Sequence, residues 1–433
     1  MSGTEVVGYE SLASYDNSER FAKLMDKRDP LAQYRDQFII PLHNGEQLVY
    51  MAGNSLGLQP LNARKYILQE LKDWGDLGVE GHFHARHPWM PYHENLTNAS
   101  ARLVGGLPHE VVVMNSLTVN LHLMMVSFYK PDKNRYKILI ENNTFPSDQY
   151  AVASQAQFHG YDPEKAIIET KPSPGELCPT TDEIISLIEK EGESIALVLL
   201  GNCNYLSGQA FDIKAITKAA HKKGCKMGVN LAHGAGNLEL HLHDWDVDFA
   251  VWCSYKYLNA GPGGIAGCFV HDKYAAEFEL PRFAGWWGHD KETRFQMGPH
   301  FQPITGAEGW QLSNPPIFQL ASLLASMEIF DKAGMPAIRK KGDLLTGFLE
   351  HCLRQIPEDK VQIMTPRNIK ERGSQLSLKM GRRARDLVKR LKDSGIICDF
   401  REPDIIRAAP APLYNTFFDV YRFANVIAEE SKG

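Results

Sequence analysis

The sequence contains no run approaching the roughly 18 uninterrupted apolar residues that a membrane-spanning helix requires. It contains no Cys-x-x-Cys pair, and its seven cysteines, spread from Cys178 to Cys398, show neither disulfide-framework nor zinc-site spacing. Reduced thiols in a cytoplasmic protein are therefore expected. Basic clusters are also missing. Lys and Arg number 47 against 52 Asp and Glu, a net charge of −5, and they are scattered, which removes the electrostatic footprint of a nucleic-acid binder. The first twenty residues are acidic and polar without an apolar core, which argues against a secretory or transit peptide. Internal repeats and low-complexity tracts are absent as well.

What is present is an ordinary globular composition, 43% hydrophobic and 23% charged, which allows a large core. At 433 residues the chain exceeds the roughly 250 to 300 at which a single core stops growing, so two domains are expected. Short apolar runs at 111–114, 137–140, 196–200, 227–229 and 249–252 lack polar alternation and are mostly separated by helical patterns. Such runs suit strands covered on both faces. The expected fold is α/β. A mainly parallel sheet flanked by helices fills a large domain, 46–329, and a smaller α+β domain spans 330–433. An N-terminal arm, 1–45, precedes them and is free to pack on the small domain. Helices are predicted at 19–26, 61–74, 117–128, 317–333, 335–353 and 384–392, with a last one from Asp419.

One stretch stands out, Ser254-Tyr255-Lys256-Tyr257-Leu258-Asn259, at the end of the largely apolar run 247–253 and before the glycine-rich turn 261–264. Burial at a strand end disfavours the ammonium form of Lys256, which suits an amine that must work unprotonated. Holding an aldehyde cofactor as a Schiff base is the chemistry that asks for this, with pyridoxal phosphate the candidate. The plainer alternative is a surface lysine. Polar turns following the other apolar runs favour the cofactor, because ligands of such sheets sit at the carboxyl ends of the strands.

Each part of such a site has a candidate. Leu117 and Thr118 open an apolar helix whose free N–H groups suit a phosphate, or form an ordinary helix start. Phe145 is placed to stack on a ring or to join the core, and Asp148 to reach a ring nitrogen or to stand as a solvated loop aspartate. Trp286 and Trp287 offer flat apolar area to an aromatic substrate, to a second subunit or simply to packing. Arg407 is the best carboxylate clamp, since its guanidinium binds carboxylates with two parallel bonds. His82, His84 and His87 lack partners at ligand spacing, so no metal is expected.

Taken in order, Gly53-Asn54-Ser55-Leu56-Gly57-Leu58-Gln59-Pro60, Phe145-Pro146-Ser147-Asp148, Leu231-Ala232-His233, Ser254 to Asn259, Gly285-Trp286-Trp287-Gly288-His289 and Leu312-Ser313-Asn314-Pro315-Pro316 closely resemble the kynureninase family. The resemblance runs from about residue 33 to the C-terminal helix. It implies a fold type I pyridoxal phosphate enzyme and a homodimer with sites shared between subunits. The implied reaction is hydrolysis of L-kynurenine or 3-hydroxy-L-kynurenine to L-alanine and anthranilate or 3-hydroxyanthranilate, in tryptophan catabolism and NAD biosynthesis. It also implies roles. Lys256 carries the Schiff base, and Tyr255 binds phosphate and shuttles a proton. Leu117, Thr118, Phe145, Ser147, Asp148, His233, Trp286 and Asn314 contact the cofactor. Ser55, His82, Trp287, Asn314 and Arg407 face the substrate. One position departs, because the family usually has aspartate where this chain has Asn230. An aspartate there holds the ring nitrogen protonated, so a weakened or non-catalytic cofactor-binding homologue is the alternative. Another fold type I activity, a cysteine desulfurase or transaminase, would share the lysine but not the Trp286-Trp287 and Asn314 segments.

Overall fold

The computed structural model describes residues 15–432 apart from Gly175 and Leu177; the first 14 residues of the expected arm lie outside the described residues. Seven strands form the central sheet: β1 (Val111–Val113), β2 (Lys137–Ile140), β3 (Ile167–Glu169), β4 (Ile195–Gly201), β5 (Lys226–Asn230), β6 (Phe249–Trp252) and β7 (Gly267–Val270). Their spatial order is β1-β7-β6-β5-β4-β2-β3. Every neighbouring pair is parallel except the two made by β7, which runs against both β6 and β1. The sheet is covered on both sides, as the unalternating apolar runs require. Val112, Ile138, Ile140, Phe249 and Val251 face one hydrophobic cluster, with the helix Leu117–Phe128. Their sequence neighbours Val111, Val113, Leu139, Ala250 and Trp252 face another, with the helix Ile317–Ala333.

Strand β7 is not foreseen from the sequence, where the repeating pattern stops at Ala266. It is four residues long and opens on Gly267, whose missing side chain makes room for Trp252: a Cβ there would lie 2.2 Å from the indole. Such a strand has too little pattern to be read locally. Two further elements, β3 and the helix Glu94–Val104, were likewise not predicted, and the turn at Phe145 opens directly into a helix, Pro146–Phe158.

A second core gathers Leu345, Phe348 and Leu349 from the helix Met335–Leu353, Leu376 and Leu378 from a strand, and Phe417, Val420 and Phe423 from the last helix, Phe417–Glu430. Its sheet has four antiparallel strands in the order Gln362–Ile363, Leu376–Lys379, Ile405–Ala408, Asp399–Arg401. Residues from the beginning of the chain complete this core. Ala22, Met25, Val49 and Met51 are buried in it, and Val49–Tyr50 pairs in parallel with Ile396–Ile397. The helix Glu19–Lys27 is capped by the Ser18 side chain, and its Asp26 carboxylate accepts from the Phe417 and Phe418 N–H groups at 2.6 and 3.1 Å. An acid at a helix N-terminus is favoured by the unpaired N–H groups and the helix dipole.

Beside this contact, Lys341 and Asp29 form an ion pair of 2.7 Å with both side chains buried. Removing one member of a buried pair leaves the other charge poorly solvated. Lys341→Met is therefore expected to cost about 3–5 kcal/mol, measured as a fall in the urea midpoint at unchanged slope.

Candidate active site

The carboxyl ends of the parallel strands open into a cleft lined by Leu117, Thr118, Phe145, Asp148, Asn230 and Lys256 among others. This is the position in which open α/β sheets hold small ligands. Lys256 follows β6, and its loop is held against the turn at Ser55. The Gly57 N–H donates to the Tyr255 carbonyl at 2.8 Å, and a Cβ on Gly57 would come within 2.3 Å of the Lys256 carbonyl oxygen. Glycine at 57 is what lets the two loops touch.

The amine of Lys256 lies 2.9 Å from His233 Nε2. Burial lowers its pKa, with the nearby Arg407 and Arg401 charges acting in the same direction and Cys253 and Asp148 opposing. Burial and then the Lys256 charge hold the His233 imidazole well below its ordinary value. His233 is thus a neutral ring that accepts from the amine, and its buried Nδ1 has no partner among the described residues. The Phe145 ring stands 5.9 Å from the amine and meets Tyr205 edge-on at 5.3 Å. Tyr255 lines the same cleft, and burial raises its phenol pKa, so it stays protonated.

Two helix N-termini meet at one end of the cleft, those of Leu117–Phe128 and Pro146–Phe158. Neither first turn is capped by a side chain. Thr118 Oγ1 and Ser147 Oγ join them at 3.1 Å. Converging free N–H groups and hydroxyls make an anion cradle. Asp148 and Asn230 occupy another part of the wall, both buried. The Asn230 amide donates to Asp148 Oδ2 at 2.6 Å, while its oxygen accepts from the Ala232 N–H at 2.9 Å. Burial pushes the Asp148 carboxyl up to about 6 against the pull of the Asn230 bond and the Lys256 charge. An anion cradle, a buried amine whose charged form is disfavoured, an aromatic face and a carboxyl fit pyridoxal phosphate, whose phosphate, aldehyde, ring and ring nitrogen ask for one each.

Nine of the residues expected from the sequence therefore line one cleft: Leu117, Thr118, Phe145, Ser147, Asp148, Asn230, His233, Tyr255 and Lys256. Arg407 stands behind Tyr205 rather than in the wall. It lies in the middle strand of the small sheet directly opposite Asp399. Its Nη2 and Nε donate to the Asp399 carboxylate at 2.6 and 3.3 Å, and Nη1 donates to the Tyr205 carbonyl at 2.6 Å. Ser55, His82, Trp286 and Asn314 lie outside this cleft within the chain. Trp286 and Asn314 are exposed, and His82 Nδ1 lies 3.0 Å from the Val79 carbonyl oxygen. The expectation of exposed aromatic area at Trp287 is corrected: it is 1% exposed, packed under Arg294, and offers no surface within the chain.

Glu141, Gly201 and Cys203 also line the cleft and are not singled out by the sequence, whereas Tyr205 and Ala232 belong to polar turns that follow apolar runs. Their shared signal is position, each falling just after an apolar run. Gly57→Ala is expected to push the lysine loop aside and destabilise the fold by about 1–3 kcal/mol, read as a lower thermal midpoint.

Residues 338–427 match the family model of the kynureninase C-terminal domain. A kynureninase of Myxococcus xanthus (strain DK1622) is 63% identical over 414 residues, which are 95% of this chain and 97% of that protein. That of Koribacter versatilis (strain Ellin345) is 58% identical over 412 residues, with 95% and 97% covered. A third, of Nematostella vectensis, is 50% identical over 433 residues, with 95% and 93% covered. Among solved structures, the apo cysteine desulfurase of Thermococcus onnurineus NA1 superposes with a TM-score of 0.74 at 19% identity, covering 94% of this chain and 99% of that one. A lysine-to-alanine mutant of C-DES, with glycine covalently linked to its PLP cofactor, gives 0.73 at 18%, covering 88% and 96%. Those two show the fold, that of the fold type I enzymes. With half to nearly two thirds of its residues identical to kynureninases over almost their whole length, the chain belongs to the kynureninase family.

Proposed function

We propose that this protein is a pyridoxal-phosphate-dependent hydrolase. It cleaves L-kynurenine or 3-hydroxy-L-kynurenine to L-alanine and anthranilate or 3-hydroxyanthranilate. The observation that carries the reading is the Lys256 amine, its charged form disfavoured by burial, set against a neutral imidazole 2.9 Å away in a cleft that offers an anion cradle and an aromatic face. Bound there, the cofactor supplies an electron sink for negative charge developing on the substrate. Thr118, Ser147 and the two helix N-termini bind its phosphate, and Phe145 covers its ring. Lys256 is the covalent anchor and a proton carrier, oriented by His233. Tyr255, protonated, donates towards the phosphate and shuttles a proton. Arg407 is the clamp for the substrate carboxylate. Its three hydrogen bonds leave one N–H on each terminal nitrogen, and Asp399 fixes the plane of the fork.

The remaining expected residues suit a site completed by a second copy of the chain. Trp286 and Asn314 are exposed, as is Phe295, whose ring meets that of Trp286 edge-on at 5.5 Å. On this reading the protein is a homodimer in which Ser55, His82, Trp286 and Asn314 serve the shared sites. A cytoplasmic location accords with seven free thiols and with no described helix being long and apolar enough to cross a membrane. The large unit is read as 46–329, and the small one as 330–433 with the arm packed on it.

Borohydride reduction of the protein with its cofactor, followed by peptide mapping, tests the anchor. The label is expected on Lys256, and label on another lysine overturns the assignment. Turnover of the two kynurenines, followed by release of alanine, tests the reaction itself.

Asn230 does not remove charge from the ring end, because its amide is bonded to the Asp148 carboxyl. Asn230→Asp would set two carboxyls about 2.6 Å apart, where one must stay protonated. It is therefore expected to raise kcat by less than about threefold, whereas Asp148→Asn lowers it by about 10²–10³. A gain of hundreds from Asn230→Asp would show that the amide cripples the site.

A further inference from the structure

Tyr205 lines the cleft in front of Arg407, and the groups that hold its turn in place lie behind it, in the small domain. We propose that Gln375 is a further positioning residue of this site. Its one carboxamide ties the Tyr205 turn to the strand layer of Arg407 and to the Asn54 turn, and so sets the opening through which a substrate carboxylate meets Arg407. The link to a substrate rests on the proposed function, and the ties themselves do not.

Three successive carbonyls of the turn are taken by side chains of the small domain. That of Tyr205 accepts from Arg407 Nη1 at 2.6 Å and from Gln375 Nε2 at 3.1 Å, that of Leu206 from Ser377 Oγ at 2.5 Å, and that of Ser207 from Thr365 Oγ1 at 2.5 Å. Ser377 and Arg407 lie opposite each other on adjacent strands, and Gln375 immediately precedes the strand Leu376–Lys379. Gln375 also reaches a third segment, since its Oε1 accepts from Asn54 Nδ2 at 2.8 Å. That asparagine belongs to the turn whose Gly57 N–H is bonded to the Tyr255 carbonyl, next to Lys256.

The carboxamide fits only one way round. Gln375 is 1% exposed, so water does not replace a lost partner, and a buried group left unpaired is costly. Nε2 has two hydrogens, one for the Tyr205 carbonyl and one for Ser377 Oγ at 3.0 Å, whose own hydrogen goes to Leu206. Turned over, the amide would set its oxygen against the Tyr205 carbonyl and its NH₂ against that of Asn54. The backbones pack as closely. Gly208 has a φ of +77°, and a Cβ there would lie 2.9 Å from the Gln375 carbonyl oxygen. Held through its carbonyl, Tyr205 meets Phe145 edge-on at 5.3 Å, with the Arg407 guanidinium carbon 6.0 Å from its ring centre. The turn therefore stands between the aromatic face of the cleft and the guanidinium, and its position governs access to Arg407.

Two substitutions at 375 separate the contributions. Gln375→Glu keeps the shape, removes both N–H donors and puts a buried negative charge next to Arg407, because the two side chains reach the same oxygen. Gln375→Leu removes the donors without adding charge. Thr365→Val is the control: it cuts a tie to the same turn, at Ser207 instead of Tyr205. The probe is L-alanine, which has the carboxylate without the aromatic ring, and its binding is read from the absorbance of pyridoxal phosphate on the protein, so no turnover is needed.

Q375E is expected to weaken L-alanine binding by at least about tenfold and to raise KM for the kynurenines alike, with kcat and the affinity for pyridoxal phosphate changed by less than about threefold. Q375L is expected to weaken L-alanine by about three- to tenfold, while Thr365→Val lowers the urea midpoint and leaves L-alanine binding within about twofold of the parent. Unchanged L-alanine binding in the Gln375 variants overturns the proposal. So does equal weakening by Q375L and Thr365→Val at a comparable loss of stability, which would make the role merely structural. If Q375E does not fold, Q375L and Thr365→Val carry the same comparison. A parent that binds pyridoxal phosphate and L-alanine but turns over neither kynurenine counts against the proposed reaction alone, and the L-alanine constants still decide on Gln375. A parent that binds no L-alanine beside its cofactor overturns the Arg407 clamp and this proposal with it.

Discussion

The structure depends on burying one amine where water would favour its charge. Lys256 sits at the carboxyl end of β6, and desolvation there costs its ammonium form more than the neighbouring Asp148 returns. Much of the surrounding architecture serves that balance. The two-sided sheet makes the strand end apolar, and Gly57 allows a second loop to close over the lysine backbone. His233, itself kept neutral by burial, accepts from the amine without competing for its proton.

Charge is handled differently at the edges of the cleft. Arg407 is buried with its charge answered by Asp399 across the strand ladder, a placement fixed by sheet register rather than by the flexibility of a long side chain. The carboxyls of Asp148 and Glu141 have the opposite problem, since burial favours their neutral forms. Asn230 belongs to this balance: as an amide bonded to Asp148 it adds a donor without adding a third acid to a crowded wall.

The second core explains how distant parts of the chain reach this site. Val49–Tyr50 is stitched to Ile396–Ile397, the Met51 N–H donates to the Ile397 carbonyl, and the Ala409 N–H donates to that of Met51. The turn at Ser55 therefore leaves the small core and arrives directly at the lysine loop. Strand Ile405–Ala408, in the same layer, brings Arg407 to the back of Tyr205. A change in the arm or the last helix would thus be felt at the cleft through backbone connections rather than through any ligand.

The sequence by itself determined the elements whose pattern is local. The helices Leu117–Phe128, Ile317–Ala333 and Met335–Leu353 have the predicted limits, because a long apolar or amphipathic run and its flanking breakers lie within one window. It also determined Lys256 and the polar turns, since an ionisable residue after a buried run is conspicuous. Only the tertiary structure decided what depends on distant partners. The short antiparallel β7 exists because Trp252 needs a glycine opposite it, and the burial of Trp287 follows from Arg294 packing over it. Glu141 reads as any acid at a strand end until the fold buries it in the wall of the cleft, for the cost of a charge is fixed by everything within a few ångströms and the chain alone does not say what that will be.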